Sequence, residues 1–210
     1  VIIDNMMNLE LLTWTGREFG VDSLNAIACT HANTTMKNHF RGDYTTFHGV
    51  VYDPNTGDVK ERKTIQGYAD DSAWARGQAW ALYGYTMMFR ETANQEYLDQ
   101  AVNVANMILG YLPEDGVPYW DFNDPAIPDT YRDASAAAVM ASAYVELSGL
   151  VKDRKLKKEY LAIADKILRT LASPEYLCEP GECHGFLLKH SVGNLRRNSE
   201  VDVPLTYADY

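Results

Sequence analysis

The chain has 210 residues, with 29 acidic against 19 basic side chains and a formal net charge of −10 at pH 7. That length fits one domain, and the charge argues against a nucleic-acid backbone as partner, so an acidic ligand would need a local basic site. No run approaches the roughly 18 apolar residues of a membrane span, and three cysteines, Cys29, Cys178 and Cys183, do not make a disulfide framework.

Residues 4–15 read as a buried helix with Asp4 at its N-terminal edge: Met6, Met7, Leu9, Leu11, Leu12 and Trp14 cover more than one face, and Gly16 is the expected stop. Residues 22–38 read as a second helix, capped by Asp22 or Ser23. The texture then changes to β-formers over residues 45–52, a turn sequence Asp53-Pro-Asn-Thr-Gly57, and a returning strand over residues 59–65. His48 and Gln66 are the two polar residues of this hairpin best placed to face inward.

A helix is expected next from Asp70 to about Glu91, opening with Asp70-Asp-Ser-Ala-Trp-Ala-Arg-Gly-Gln-Ala-Trp80. The aspartates and serine suit an N-cap and the positive end of the helix dipole. Arg76 and Trp80 are four apart and share a face. A guanidinium beside an indole suits a sugar ring that carries a carboxylate; the alternative is an arginine tied to a neighbouring aspartate. Further helices are expected over residues 95–109, from Arg132-Asp-Ala-Ser135 to near Gly149, and over residues 153–172. Asp133 and Ser135 read as caps, and Asp121 as a loop anchor. A strand is expected over residues 186–190 and the start of a seventh helix at residues 205–210. The run Cys178-Glu-Pro-Gly-Glu-Cys183-His184 lacks a second ligand pair at metal spacing, so a local disulfide or two free thiols are expected, with no metal and no cofactor. Without βαβ alternation a parallel sheet is not expected; the class is all-α, helix pairs with one inserted hairpin.

The runs Ile2-Ile-Asp-Asn-Met-Met-Asn8, His39-Phe-Arg-Gly-Asp43, Gln66-Gly-Tyr-Ala-Asp-Asp-Ser-Ala-Trp-Ala-Arg-Gly-Gln-Ala-Trp80, Pro118-Tyr-Trp-Asp-Phe122 and Arg132-Asp-Ala-Ser-Ala-Ala-Ala138 resemble unsaturated glucuronyl hydrolases, glycoside hydrolase family 88. The resemblance implies an (α/α)6 barrel with its active site in a cleft at one mouth. About seven of the barrel's helices would be present, residues 1–210 forming one catalytic domain whose N-terminal portion and last helix lie outside the chain. It implies removal of an unsaturated uronic acid from the non-reducing end of lyase-made oligosaccharides, in a bacterium, with the compartment, cytoplasmic or periplasmic, and the oligomeric state left open. The chemistry is hydration of the C4=C5 vinyl ether, and not the usual two-carboxylate displacement. One group gives a proton and activates water, which suits a carboxyl of raised pKa.

By the same resemblance the acid/base aspartate falls on Asp4, and the sugar-contacting side chains on His48, Gln66, Arg76 and Trp80. Arg76 would offset the uronate and Trp80 would stack on the ring. A segment around Lys189, Arg196 and Arg197 would meet the aglycone or a sulfate on it. The family's second aspartate and stacking tryptophan lie upstream of Asp4, so these 210 residues alone are expected to be inactive and poorly folded. Rival readings are an unsaturated rhamnogalacturonyl hydrolase, which shares barrel and chemistry, a non-catalytic acidic-sugar-binding protein, and a helical-repeat scaffold; the Trp74 to Trp80 run favours the glucuronyl reading.

Overall fold

A 3₁₀ turn, Ile3–Asn8, opens the chain and runs into α1 (Leu9–Phe19) and α2 (Asp22–Asn38). The first hairpin follows, β1 (Gly49–Tyr52) with β2 (Val59–Lys63), then α3 (Ala75–Thr92), α4 (Gln95–Leu109), α5 (Ala134–Leu150) and α6 (Arg154–Leu171). A second hairpin, β3 (Ser191–Asn194) with β4 (Ser199–Val203), leads to the short α7 (Thr206–Asp209). The structure, a computed structural model, describes residues 1–209. Both hairpins are antiparallel, with Gly49 opposite Lys63 and Ser191 opposite Val203.

Consecutive helices pair, α1 with α2, α3 with α4 and α5 with α6, while α3 also packs on α5 and α5 on α7. The odd-numbered helices therefore form one wall. Together with the 3₁₀ turn they line a concave cavity of about 980 Å³, bounded by Met7, Trp14, Trp80, Arg90, Ser142 and Tyr207.

Small residues set the closeness of this packing. Every residue from Ala75 to Leu82 on α3 is buried. A Cβ on Gly84 would lie 2.5 Å from the Cβ of Met6, so glycine there is what seats the 3₁₀ turn on α3. Burying Ile3 and Met6 in that seat stabilises the fold by roughly 1.5–3 kcal/mol each. On α5, Ala134, Ala136, Ala137, Ala141 and Ala143 let α3 and α6 approach from both sides. Side chains of Asn94, Asp133 and Asp153 accept from backbone N–H groups at the starts of α4, α5 and α6 and so cap them.

Five expectations change. Gly16 lies inside α1, because the Asn25 side chain of α2 occupies the space a Cβ would need (2.7 Å to Oδ1); the helix ends at Gly20, whose φ of 66° a glycine adopts freely. The first helix is not buried all round: Leu11 is 67% exposed and Trp14 46%, since both face the concave side, which no described residue covers. Helix α2 begins at Asp22 with no side-chain cap. Helix α3 starts at Ala75 and not at Asp70; the Asp70 Oδ1 oxygen accepts from Thr64 N–H and Ser72 donates to Asp121, so these residues build a turn instead of a cap. The late strand is Ser191–Asn194, paired in a hairpin the sequence did not suggest, while Leu188 makes only an isolated bridge to Leu177. Of the seventh helix, Tyr210 lies outside the described residues. Cys178 and Cys183 form a disulfide.

Candidate active site

The N-terminal segment adds itself to the edge of the first hairpin. Val50 N–H donates to Val1 O and Ile3 N–H to His48 O, each at 2.9 Å, and Ile2 bridges Gly49. This extended entry followed by a tight turn places the Asp4 carboxyl over the His48 ring, Oδ2 to Nε2 at 3.6 Å. Neither atom has a hydrogen-bond partner within the protein, and both are buried.

Histidine orientation is fixed from behind. Nδ1 of His48 accepts from the backbone N–H groups of Ile65 (3.3 Å) and Gln66 (3.2 Å). A nitrogen that accepts carries no proton, so the neutral ring holds its proton on Nε2, towards Asp4. The ring stacks on Trp74 at 4.3 Å and 18°. Burial, then the Arg76 charge and His39, push the His48 pKa down to about 3, so this is a neutral donor facing a carboxyl and not an ion pair. Burial raises the Asp4 pKa to about 6, against the opposing pull of its own backbone hydrogen bond and of Arg76. The shift has the direction the sequence implied. Asp4 stands in the first turn of a six-residue 3₁₀ helix, whose short dipole opposes the shift only weakly.

Arg76 is more committed than its expected role suggests. It is 1% exposed, and its Nη1 donates to Asp133 Oδ2 (2.9 Å), Ser135 Oγ (3.1 Å) and the Val192 carbonyl (2.7 Å). Nη2 donates to the Gly193 carbonyl at 3.1 Å. The indole under its guanidinium is Trp74, 4.5 Å away, and not Trp80. Trp80 lies on the cavity wall and meets Arg76 through a shared neighbour: Tyr207 is 6.0 Å from the Trp80 ring and 5.4 Å from the guanidinium. Gln66 donates through Nε2 to the same Gly193 carbonyl, at 2.8 Å. Asp4, His48, Gln66 and Arg76 thus converge on one corner, with Trp80 adjoining through Tyr207.

Sequence reasoning missed five contributors. Trp74 was visible but had no assigned partner. Asp133 was readable as a cap through Ser135, while nothing in its spacing showed that the second oxygen reaches Arg76. The Val192 and Gly193 carbonyls have no residue-type signature, although Gly193 is required where it stands, since a Cβ would meet the Glu200 Cβ at 2.6 Å. Tyr207 carried no periodic signal in so short a helix. Asp121 behaves as the expected anchor, accepting from Tyr68 N–H, Ser72 Oγ and Asn123 N–H. Arg132 pairs with Asp115 (3.0 Å).

Beside Gln66, a second cavity of about 380 Å³ lies between Lys63, Thr64, Ile65, Arg196 and Arg197, a local basic site in an acidic chain. Among the described residues Cys178, Glu182 and Cys183 bring three possible metal donors within 4.8 Å of one another, but the two sulfurs are bonded to each other.

A protein of Formosa agariphila named unsaturated glucuronyl hydrolase is 50% identical over the whole chain, which covers 52% of it. A solved unsaturated glucuronyl hydrolase described as specific for heparin superposes on the full chain with a TM-score of 0.97 at 51% identity, 56% of that structure being covered. Over its full length the chain is similar to the unsaturated glucuronyl hydrolase family. A third relative, the enzyme of Bacillus sp. GL1 described as responsible for the degradation of glycosaminoglycan, matches over the full chain and 56% of its own length with a TM-score of 0.94 at 31% identity. No family model matches. The chain spans about half the length of the relatives it matches. Its helical arc has the (α/α)6-barrel fold of this family.

Proposed function

We propose that the protein to which this chain belongs is a hydrolase of unsaturated glucuronyl oligosaccharides, the products of polysaccharide lyases acting on glycosaminoglycans. What carries the reading is the half-buried Asp4 carboxyl: its Oδ2 is out of water, its pKa is raised to about 6, and it faces the neutral His48 Nε2–H at 3.6 Å near a guanidinium. A group of this kind can hold a proton near neutral pH and release it to carbon, which carboxyls of ordinary acidity do poorly.

In this reading Asp4 gives its proton to C4 of the ring while water adds at C5 and returns a proton to the carboxylate, so the group is restored in one cycle. The resulting hemiketal opens, and the aglycone leaves as the ring becomes a keto-aldehyde. His48 donates to a ring oxygen from Nε2. The uronate lies at the corner beside Gln66, with Arg76 behind the wall and already held by Asp133, and Trp80 covers the ring face from the cavity wall. An acidic substituent on the aglycone would meet Lys63, Arg196 and Arg197.

The test is loss of the ultraviolet absorbance of the conjugated C4=C5 bond when the natural full-length protein meets unsaturated disaccharides, with Asp4→Asn as control. Turnover of the glucuronyl substrate and none of an unsaturated rhamnogalacturonyl one is the expected result. Equal turnover by Asp4→Asn would remove the mechanism.

A further inference from the structure

A buried guanidinium near a carboxyl normally keeps that carboxyl ionised, because opposite charge in a low dielectric favours the charged form. Arg76 acts on Asp4 in this sense, yet Asp4 must hold a proton to do the proposed chemistry. The atom placed to cancel the guanidinium is Asp133 Oδ2, at 2.9 Å, with both side chains buried (1% and 0% exposed). The other oxygen of the same carboxyl accepts from Ser135 N–H (3.1 Å) and Ser135 Oγ (2.5 Å) at the start of α5. Helix α5 therefore fixes Asp133, Asp133 fixes Arg76, and the Val192 and Gly193 carbonyls close the remaining directions.

We propose that Asp133 is a positioning residue of the reaction: by holding and neutralising Arg76 it lets Asp4 carry a proton beside a guanidinium. The proposal rests on the reading of Asp4 as proton donor. Of the charged and titratable groups, His48 ahead of β1 touches Asp4 at 3.6 Å and Arg76 on α3 acts on it through its charge, with His39 acting on His48 from α2's end. Helix α1 turns its acid, Glu10, to Tyr83 and Arg90 instead. Arg76 in turn is faced by Asp133 from α5, by two β3 carbonyls, and by the Tyr207 ring from α7.

The experiment uses the natural full-length protein and two readouts: the pH profile of kcat, and the pH dependence of unfolding free energy measured with and without Asp4→Asn. Asp133→Asn removes the charge and keeps a capping side chain. Its alkaline limb is expected to move down by about one pH unit, a loss of about tenfold in kcat above the limb. The Asp4-dependent part of the stability profile, which spans the interval from 3.8 to about 6, is expected to contract with it. Glu146→Gln, which removes a carboxylate from Arg90 at the other end of α3, is expected to move neither. In an Arg76→Gln background, adding Asp133→Asn is expected to leave the Asp4 contribution where it was; this pair decides the matter if Asp133→Asn alone does not fold. An unmoved limb in Asp133→Asn, or the same displacement in the absence of Arg76, overturns the proposal. If the native protein leaves unsaturated disaccharides intact, the functional reading fails by itself, and the stability arm still decides whether Asp133 governs Asp4.

Discussion

Helix α3 carries an arginine near each end, and the two are held in opposite ways. Arg76 is sealed in, with one carboxylate, one hydroxyl and two backbone carbonyls around it. Arg90 has a side chain 35% exposed and three carboxylates, Glu91 at 2.9 Å, Glu146 at 2.8 Å and Glu10. Counting ion pairs would rank Arg90 first. Desolvation reverses the order: a buried pair loses its hydration on both sides, so breaking it leaves a charge with nowhere to go, whereas water replaces most of what an exposed partner supplied. The Arg76 end is also the one whose charge acts on Asp4, and the contrast separates a site built to control charge from a surface that tolerates it.

The largest expected effect lies at the carboxyl that the Arg76 end serves. Asp4→Asn should lower kcat by about 10²–10⁴-fold with little change in fold, as removal of a proton-transfer group does; steady-state kinetics on an unsaturated disaccharide read it. Next is the pair itself. Asp133→Ala strands the Arg76 charge and should destabilise the protein by about 3–5 kcal/mol, read by urea denaturation. The α3 comparison breaks if this variant is no worse than loss of a surface pair.

A smaller effect is the pH dependence of stability. Asp4 binds its proton below about 6 when folded and below 3.8 when unfolded. The folded state therefore holds an extra proton between these values, and that stability is full below the lower one and lost as pH rises through the upper. The loss is about 2–3 kcal/mol, and Asp4→Asn should abolish it and be the more stable protein at pH 7. The smallest effect is expected at the other end of α3: Glu146→Gln beside Arg90 should change stability by less than about 1 kcal/mol, and less still at high salt.

The sequence made the frame readable where chemistry is local. Asn94, Asp133 and Asp153 sit where caps belong, and α4, α5 and α6 start within a residue or two of the positions they mark. The alanines of α5 announced close helix contact. The gathering of Asp4, His48 and Gln66 was legible only through whole-motif resemblance, since no spacing rule joins residues 4, 48 and 66. What stayed hidden depends on backbone or on a second use of one side chain. The strand that holds Arg76 and Gln66 is Ser191–Asn194, whose Gly193 and Asn194 are poor β-formers, so the apolar run Phe186-Leu-Leu188 just before it drew the assignment. The commitment of Arg76 to an aspartate was one of two open alternatives, and its choice of Asp133 is set by how α3 and α5 cross.

The reach of the hydrogen bonds around Gly193 has a kinetic consequence. Gln66 and Arg76 bind carbonyls 127 and 116–117 residues further along the chain. Helices close within microseconds from near neighbours, while contacts of such high order wait for the entropy of long loops to be overcome. During synthesis the early helices can therefore precede the corner they help to build, which closes around Arg76 and Gln66 only once β3 has joined.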